Sequence, residues 1–62
     1  MRLRNKVAIV TGGARGMGSA ESIMFANEGA KVVIADIRQE MGKDVADKIR
    51  KNGGTAEFIW LD

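Results

Sequence analysis

Residues 7–18 read Val-Ala-Ile-Val-Thr-Gly-Gly-Ala-Arg-Gly-Met-Gly, an apolar run that passes directly into a glycine-rich segment. The run Val7–Val10 is continuous rather than alternating, which is typical of a parallel strand covered on both faces. Gly12, Gly16 and Gly18 follow it with spacing that allows a tight exit from a strand and a close backbone approach. The segment therefore predicts a buried strand, a turn and the N-terminus of a helix.

The rest of the chain repeats this order of strand followed by helix. Apolar runs at Val32–Ala35 and Ala56–Leu61 predict two more strands, and helical patterns at Met17–Glu28 and Gln39–Lys51 connect the three. Each connection is long enough for a crossover, so all three strands should be parallel and lie in the order 3-2-1. The sequence thus predicts an α/β fold of the Rossmann type, β-α-β-α-β, as the N-terminal part of a doubly wound sheet.

Each predicted helix has an apolar stripe that we assign to the core. The first stripe comprises Ala20, Ile23, Met24 and Asn27, and the second comprises Met41, Val45 and Ile49, backed by Ile37 and Ala46.

Composition limits what the chain can be. Its 62 residues include no cysteine and no histidine, so neither a disulfide nor a His/Cys metal site would support a small core. We therefore expect residues 1–62 to be the N-terminal segment of an incomplete single domain, with no metal site. Arg2, Arg4 and Lys6 crowd the N-terminus, but no further basic run or aromatic platform follows, so we expect no nucleic-acid partner. The apolar runs are too short for a membrane span, and a cysteine-free chain is compatible with the cytoplasm, where we expect it.

The glycine-rich turn has a chemical explanation. A pyrophosphate held by backbone N–H groups needs the chain close to it and a helix N-terminus aimed at it. Gly12, Gly16 and Gly18 meet these needs, although a glycine-rich loop without a ligand remains the alternative. Residues 13–19 lack the lysine of a nucleoside triphosphate-binding loop, and the common G-x-G-x-x-G spacing is absent too.

The spacing of residues 11–18, T-G-x-x-x-G-x-G, resembles the motif of the short-chain dehydrogenase/reductase family. The resemblance extends across the whole chain, through Lys6–Val10 before the turn, Glu28–Val32, Asp36 and Leu61-Asp62. The resemblance implies the cofactor-binding N-terminal segment of an NAD(P)-dependent oxidoreductase that interconverts alcohols and carbonyls. It also implies that the Met17 N–H binds the pyrophosphate.

Asp36 follows the second predicted strand. A carboxylate there can accept hydrogen bonds from the adenosine ribose and repel a 2′-phosphate, which favours NAD over NADP. Its alternative role is an N-cap of the second helix. Two arginines favour NADP instead: Arg15, at a position where NADP-using relatives often carry a basic residue, and Arg38. The alternative is that both are solvated surface charges, so dual use of NAD and NADP stays open.

The adenine end of the site is predicted at the last strand. Asp62 would, by resemblance, contact the adenine amino group, and Ile37 and Leu61 could wall the adenine pocket. The assigned cofactor-binding residues are Gly12, Arg15, Gly16, Met17, Gly18, Asp36, Ile37, Leu61 and Asp62.

No catalytic residue can be assigned. The family's reaction uses a Tyr-x-x-x-Lys pair assisted by serine, and this chain contains no tyrosine. The whole protein is expected to be the enzyme, with the chain as its cofactor half-site. A non-catalytic dinucleotide-binding or sensing module, or a minimised fold fragment, is the alternative. The whole protein is expected to be a homo-oligomer, and the chain itself is expected to self-associate through the open edge of its first strand.

Overall fold

The computed structural model describes residues 6–12 and 15–61 of the chain. Gly13 and Ala14 of the glycine-rich turn, and the predicted adenine contact Asp62, lie outside the described residues. The five predicted elements are confirmed in type and order: β1 Val7–Thr11, α1 Gly16–Asn27, β2 Lys31–Asp36, α2 Gln39–Lys51 and β3 Thr55–Trp60.

The three strands form one parallel sheet in the order β1-β2-β3. Strand β2 pairs with both neighbours, so that Val10, Ile34 and Phe58 lie side by side across the sheet. The α/β class, the three parallel strands and the two helices agree with the Rossmann-type prediction.

Both helices pack on the same face of the sheet, because α1 and α2 contact each other as well as the strands. Buried Val10, Val32, Ile34 and Ala56 meet Ala46 and Ile49 there, in a single core cluster. The opposite face is open in the described part of the chain: Ile9 is 69% exposed and Ile59 is 51% exposed. The expectation that β1 is covered on both faces is therefore wrong for the described residues, since both helices take the same side.

The buried stripe of α1 is displaced from the predicted one. Ser22 is the fully buried residue of this helix, whereas the predicted core residue Met24 is 49% exposed. Ser22 tolerates burial because its hydroxyl donates a hydrogen bond of 2.8 Å to the carbonyl oxygen of Gly18. A pattern that counts only apolar residues could not identify this serine.

The buried residues of helix α2 also differ from those that its apolar pattern predicted. Gly42, Ala46 and Ile49 are its buried residues, while Met41 is 47% exposed and Ile37, just before the helix, is 56% exposed. A Cβ atom at Gly42 would overlap the ring of Phe58 on β3. The absence of a side chain at Gly42 therefore lets α2 pack closely against Phe58, and Met41 lies outside the packed face.

Candidate functional site

The turn after β1 requires glycine at its first position. Gly12 has φ +67°, a conformation that side chains with a Cβ rarely adopt, and its N–H donates to the carbonyl oxygen of Ala35 at 2.7 Å. The Gly12 carbonyl accepts the N–H of Arg15 at 3.2 Å. The first bond holds the turn against the carboxyl end of β2, and the second joins the two ends of the turn.

Helix α1 then presents backbone donors at its N-terminus. Arg15 is its N-cap residue and makes no side-chain capping bond, while the Ser19 N–H donates to the Arg15 carbonyl at 2.7 Å. The three preceding N–H groups, of Gly16, Met17 and Gly18, have no acceptor within the helix. The first turn of α1 contains no acidic residue, so its positive end is not neutralised there and suits an anion.

Space is open beside the described glycines of this turn. Among the described residues, nothing lies within 4 Å of a Cβ built on Gly12 or on Gly16. These glycines are therefore not explained by close packing. Open space beside backbone donors that have no acceptor within the helix is what a bound pyrophosphate requires.

Asp36 occupies the carboxyl end of β2, and its side chain is only 1% exposed. Its Oδ1 atom accepts the backbone N–H of Arg38 at 2.8 Å and the Arg38 guanidinium at 3.3 Å. The residue that caps α2 is Arg38, not Asp36, so the alternative role as helix N-cap is not the one the structure shows. The carboxylate is buried but paired, as a buried charge must be.

A cleft of about 280 Å³ opens at the carboxyl ends of the strands. It brings together five of the predicted site residues, Gly12, Arg15, Asp36, Ile37 and Leu61, and adds Ala35 and Arg38. The other described candidates, Gly16, Met17 and Gly18, lie in the first turn of α1 beside Arg15 and do not line the cleft. Ligands of open α/β sheets bind at this edge.

Two lining residues were not assigned to the site from sequence. Ala35 carries no side-chain signal, and its role comes from the carbonyl that anchors Gly12. Arg38 was weighed from the sequence only as a charge that favours NADP, and the Asp-x-Arg spacing also indicates its contact with Asp36, because an aspartate often accepts the backbone N–H two residues on.

A second depression, of about 170 Å³, lies at the opposite edge of the sheet, between Asn27 of α1 and Asn52 at the end of α2. Its lining contains no charged residue, and the C-terminal ends of both helices direct carbonyl oxygens to this region. An anionic ligand fits the first cleft better for that reason.

A carboxyl group with a perturbed pKa, that of Glu57, lies away from the cleft. Lys31 hydrogen-bonds Glu57 at 2.8 Å on the open face of the sheet and lowers the pKa of that carboxyl, with a smaller contribution from the charge of Arg50. Within residues 6–12 and 15–61, no group of three His, Cys, Asp or Glu side chains could hold a metal ion. Neither of the two described helices is long and apolar enough to cross a membrane.

Comparison with known proteins identifies the family of this chain. A family model described as short chain dehydrogenase matches residues 6–62. The 2,5-dichloro-2,5-cyclohexadiene-1,4-diol dehydrogenase LinX of Sphingobium indicum is 57% identical over 61 residues, which cover 98% of this chain and 24% of that protein.

Two solved structures share the fold. The crystal structure of a metagenomic short-chain oxidoreductase in complex with NADP has a TM-score of 0.96 at 35% identity, covering 100% of this chain and 28% of its own. The crystal structure of a hydroxysteroid dehydrogenase from Escherichia coli has a TM-score of 0.93 at 40% identity. The match covers 97% of this chain and 26% of that one. The chain spans about a quarter of the length of these relatives.

Proposed function

The chain belongs to the short-chain dehydrogenase family, and we propose that its cleft binds the adenosine and pyrophosphate part of NAD. Members of this family are oxidoreductases that bind a nicotinamide dinucleotide. We further propose that residues 1–62 form the N-terminal part of one doubly wound domain, with strand order 3-2-1, in a homo-oligomeric enzyme. That enzyme would interconvert alcohols and carbonyls.

The observation that carries this proposal is that the start of α1 and a buried carboxylate lie at the same end of the sheet. Gly12 and Arg15, the N-cap of α1, line the same cleft as buried Asp36. A dinucleotide has a pyrophosphate and a ribose with adjacent hydroxyls, so it needs both features at once.

Different residues of the site would bind different parts of the cofactor. The N–H groups of Gly16, Met17 and Gly18 would bind the pyrophosphate, with Arg15 beside it as an exposed cation. Asp36 would accept hydrogen bonds from the ribose hydroxyls. Ile37 and Leu61, which are 56% and 48% exposed, would cover the adenine ring, and Asp62 would contact its amino group.

The chain's contribution to catalysis is to hold and orient the cofactor. Bound NAD supplies hydride transfer through its nicotinamide ring. The chain contains no tyrosine and no histidine, so we place the groups that move the proton outside these residues. The NADP complex of the metagenomic relative supports a dinucleotide site and makes NADP the second candidate cofactor.

Calorimetric titration of the protein with NAD and with NADP tests the proposal. We expect saturable binding of NAD, weakened by roughly tenfold or more in Asp36→Asn, because a hydrogen bond to a charged group contributes ~1.5–3 kcal/mol. NADP should then bind at least as well as NAD. Asp47→Asn is the matched control, since Asp47 also pairs with an arginine, at 3.1 Å, but lies on an exposed part of α2. No saturable heat from either cofactor would contradict the proposal.

A further inference from the structure

We propose that the buried hydroxyl of Ser22 is a positioning group for the cofactor site, because it holds Gly18, and with it the first turn of α1, in the conformation that binds a pyrophosphate. Ser22 is 0% exposed, so it cannot contact the cofactor itself. The inference rests on the proposed function and goes beyond it, because it assigns the support of the site to a core residue outside the cleft.

The first turn of α1 lacks the features that usually stabilise the start of a helix. Its N-cap residue, Arg15, makes no side-chain capping bond, and the turn contains no acidic residue. Gly16 begins the helix with φ +20°, which is outside the helical range. Gly18 follows two residues later, and glycine loses more conformational freedom in a helix than any other residue. A turn of this composition tends to unwind, and its N–H groups would then no longer point to one place.

Two serine hydroxyls bond to the carbonyl oxygens of these two glycines. The Ser19 hydroxyl donates to the Gly16 carbonyl at 3.3 Å, in an exposed position. The Ser22 hydroxyl donates to the Gly18 carbonyl at 2.8 Å. The second bond is the shorter one and is removed from water, so it gives the turn the stronger support.

Burial determines what happens when Gly18 moves. The Gly18 carbonyl is the partner that the structure gives to the Ser22 hydroxyl. If Gly18 left the helix, that hydroxyl would stay in the core without a partner, and a buried polar group without a partner is costly. The cost disfavours conformations with a displaced Gly18, so a larger fraction of the protein is ready to bind the pyrophosphate.

Two substitutions of Ser22 separate the hydroxyl from the packing of the side chain. Ser22→Ala removes the hydroxyl alone, and alanine is the better helix former, so we expect stability to be unchanged or higher. Ser22→Thr keeps a hydroxyl that can still bond to the carbonyl four residues earlier. It also adds a methyl group at a fully buried position, so stability should fall. If the role of Ser22 were only structural, NAD affinity would follow stability, whereas a positioning role makes it follow the hydroxyl.

The test combines urea unfolding with calorimetric titration of the wild type and both variants with NAD. We expect Ser22→Ala to bind NAD about fivefold more weakly, because fewer molecules hold the first turn in the binding conformation. Ser22→Thr should bind NAD within about twofold of the wild type in spite of its lower stability. Asn27→Ala is the matched control, because it replaces another poor helix former by alanine, at an exposed position in the last turn of the same helix. It should leave the NAD affinity unchanged.

Amide hydrogen exchange of the free protein gives a second readout, which needs no cofactor. The Ser19 N–H donates to the Arg15 carbonyl at 2.7 Å, so its exchange rate reports opening of the first turn. The rate should rise by about fivefold in Ser22→Ala, in step with the loss of affinity, and stay at the wild-type value in Asn27→Ala.

Three results would overturn the inference: an unchanged NAD affinity in Ser22→Ala, an unchanged Ser19 exchange rate in that variant, or affinities that follow stability in both Ser22 variants. If the wild type binds no NAD, the proposed function fails, and the exchange rates alone then decide whether Ser22 holds the turn.

Discussion

The backbone N–H of Gly12 donates a hydrogen bond of 2.7 Å to the carbonyl oxygen of Ala35, the residue just before Asp36. This bond ties the glycine-rich turn to the strand that carries the buried carboxylate. The two halves of the proposed cofactor site are therefore joined by the main chain. The turn conformation at Gly12 therefore contributes to their relative position.

Gly12→Ala should weaken NAD binding and lower stability by about 1 kcal/mol. A Cβ at Gly12 meets nothing within 4 Å, so the cost comes from its φ of +67°, which alanine adopts poorly. Gly53→Ala is the matched control, with φ +88° and equally open space at the other edge of the sheet. Urea unfolding should show similar losses for both variants, and calorimetry should show a binding loss for Gly12→Ala only. Equal binding losses would mean that global destabilisation explains the effect.

Gly42→Ala should destabilise the protein although alanine is the better helix former. The added methyl group would overlap the Phe58 ring, and overpacking costs about 1–3 kcal/mol, against a gain of about 1 kcal/mol from helix propensity. In a Phe58→Leu background the same change should cost less, which a double-mutant cycle by urea unfolding would measure. An unchanged cost in that background would contradict the contact.

The Lys31–Glu57 pair should make a small, pH-dependent contribution to stability. Because Lys31 lowers the pKa of Glu57 in the folded protein, the stabilisation is complete above the ordinary pKa of a glutamate. It is lost as the pH falls through the lowered folded-state value. In Lys31→Gln the pKa of Glu57 should rise towards the ordinary value, as carboxyl NMR titration would show. Lys43→Gln, an exposed lysine of α2, should leave it unchanged.

We expect the chain to self-associate through the open edge of β1. In the described residues this strand pairs only with β2, and an unpaired edge is a template for another chain. Ile9→Lys places a charge on that strand and should reduce association in size-exclusion chromatography. Ile59→Lys places the same charge on the same sheet face but on β3, the strand at the other edge of the described sheet, and should reduce it less because the expected contact runs along β1.

Equal effects of the two lysine variants would contradict an association that runs through β1 alone, because β3 is the other edge strand of the described sheet. A stably folded wild-type monomer without ligand would contradict the association itself.

Local sequence determined the order of elements and most of their boundaries. Strand β1 could be predicted from four consecutive apolar residues, and the limits of α2 from its pattern and the Asn-Gly-Gly that ends it. The glycine spacing of the turn and the place of Asp36 at the end of β2 also followed from the chain. These features are set by backbone conformation and by neighbours close in sequence.

Only the tertiary structure decided which surfaces are buried and which polar groups meet. Burial of Ser22 and exposure of Met24 depend on how closely α1 approaches the sheet, and exposure of Ile9 depends on both helices taking one face. The pairing of Gly12 with Ala35 joins residues more than twenty positions apart. Periodicity counts apolar residues along one element. It carries no information about the distance between two elements, and that distance shapes the cleft.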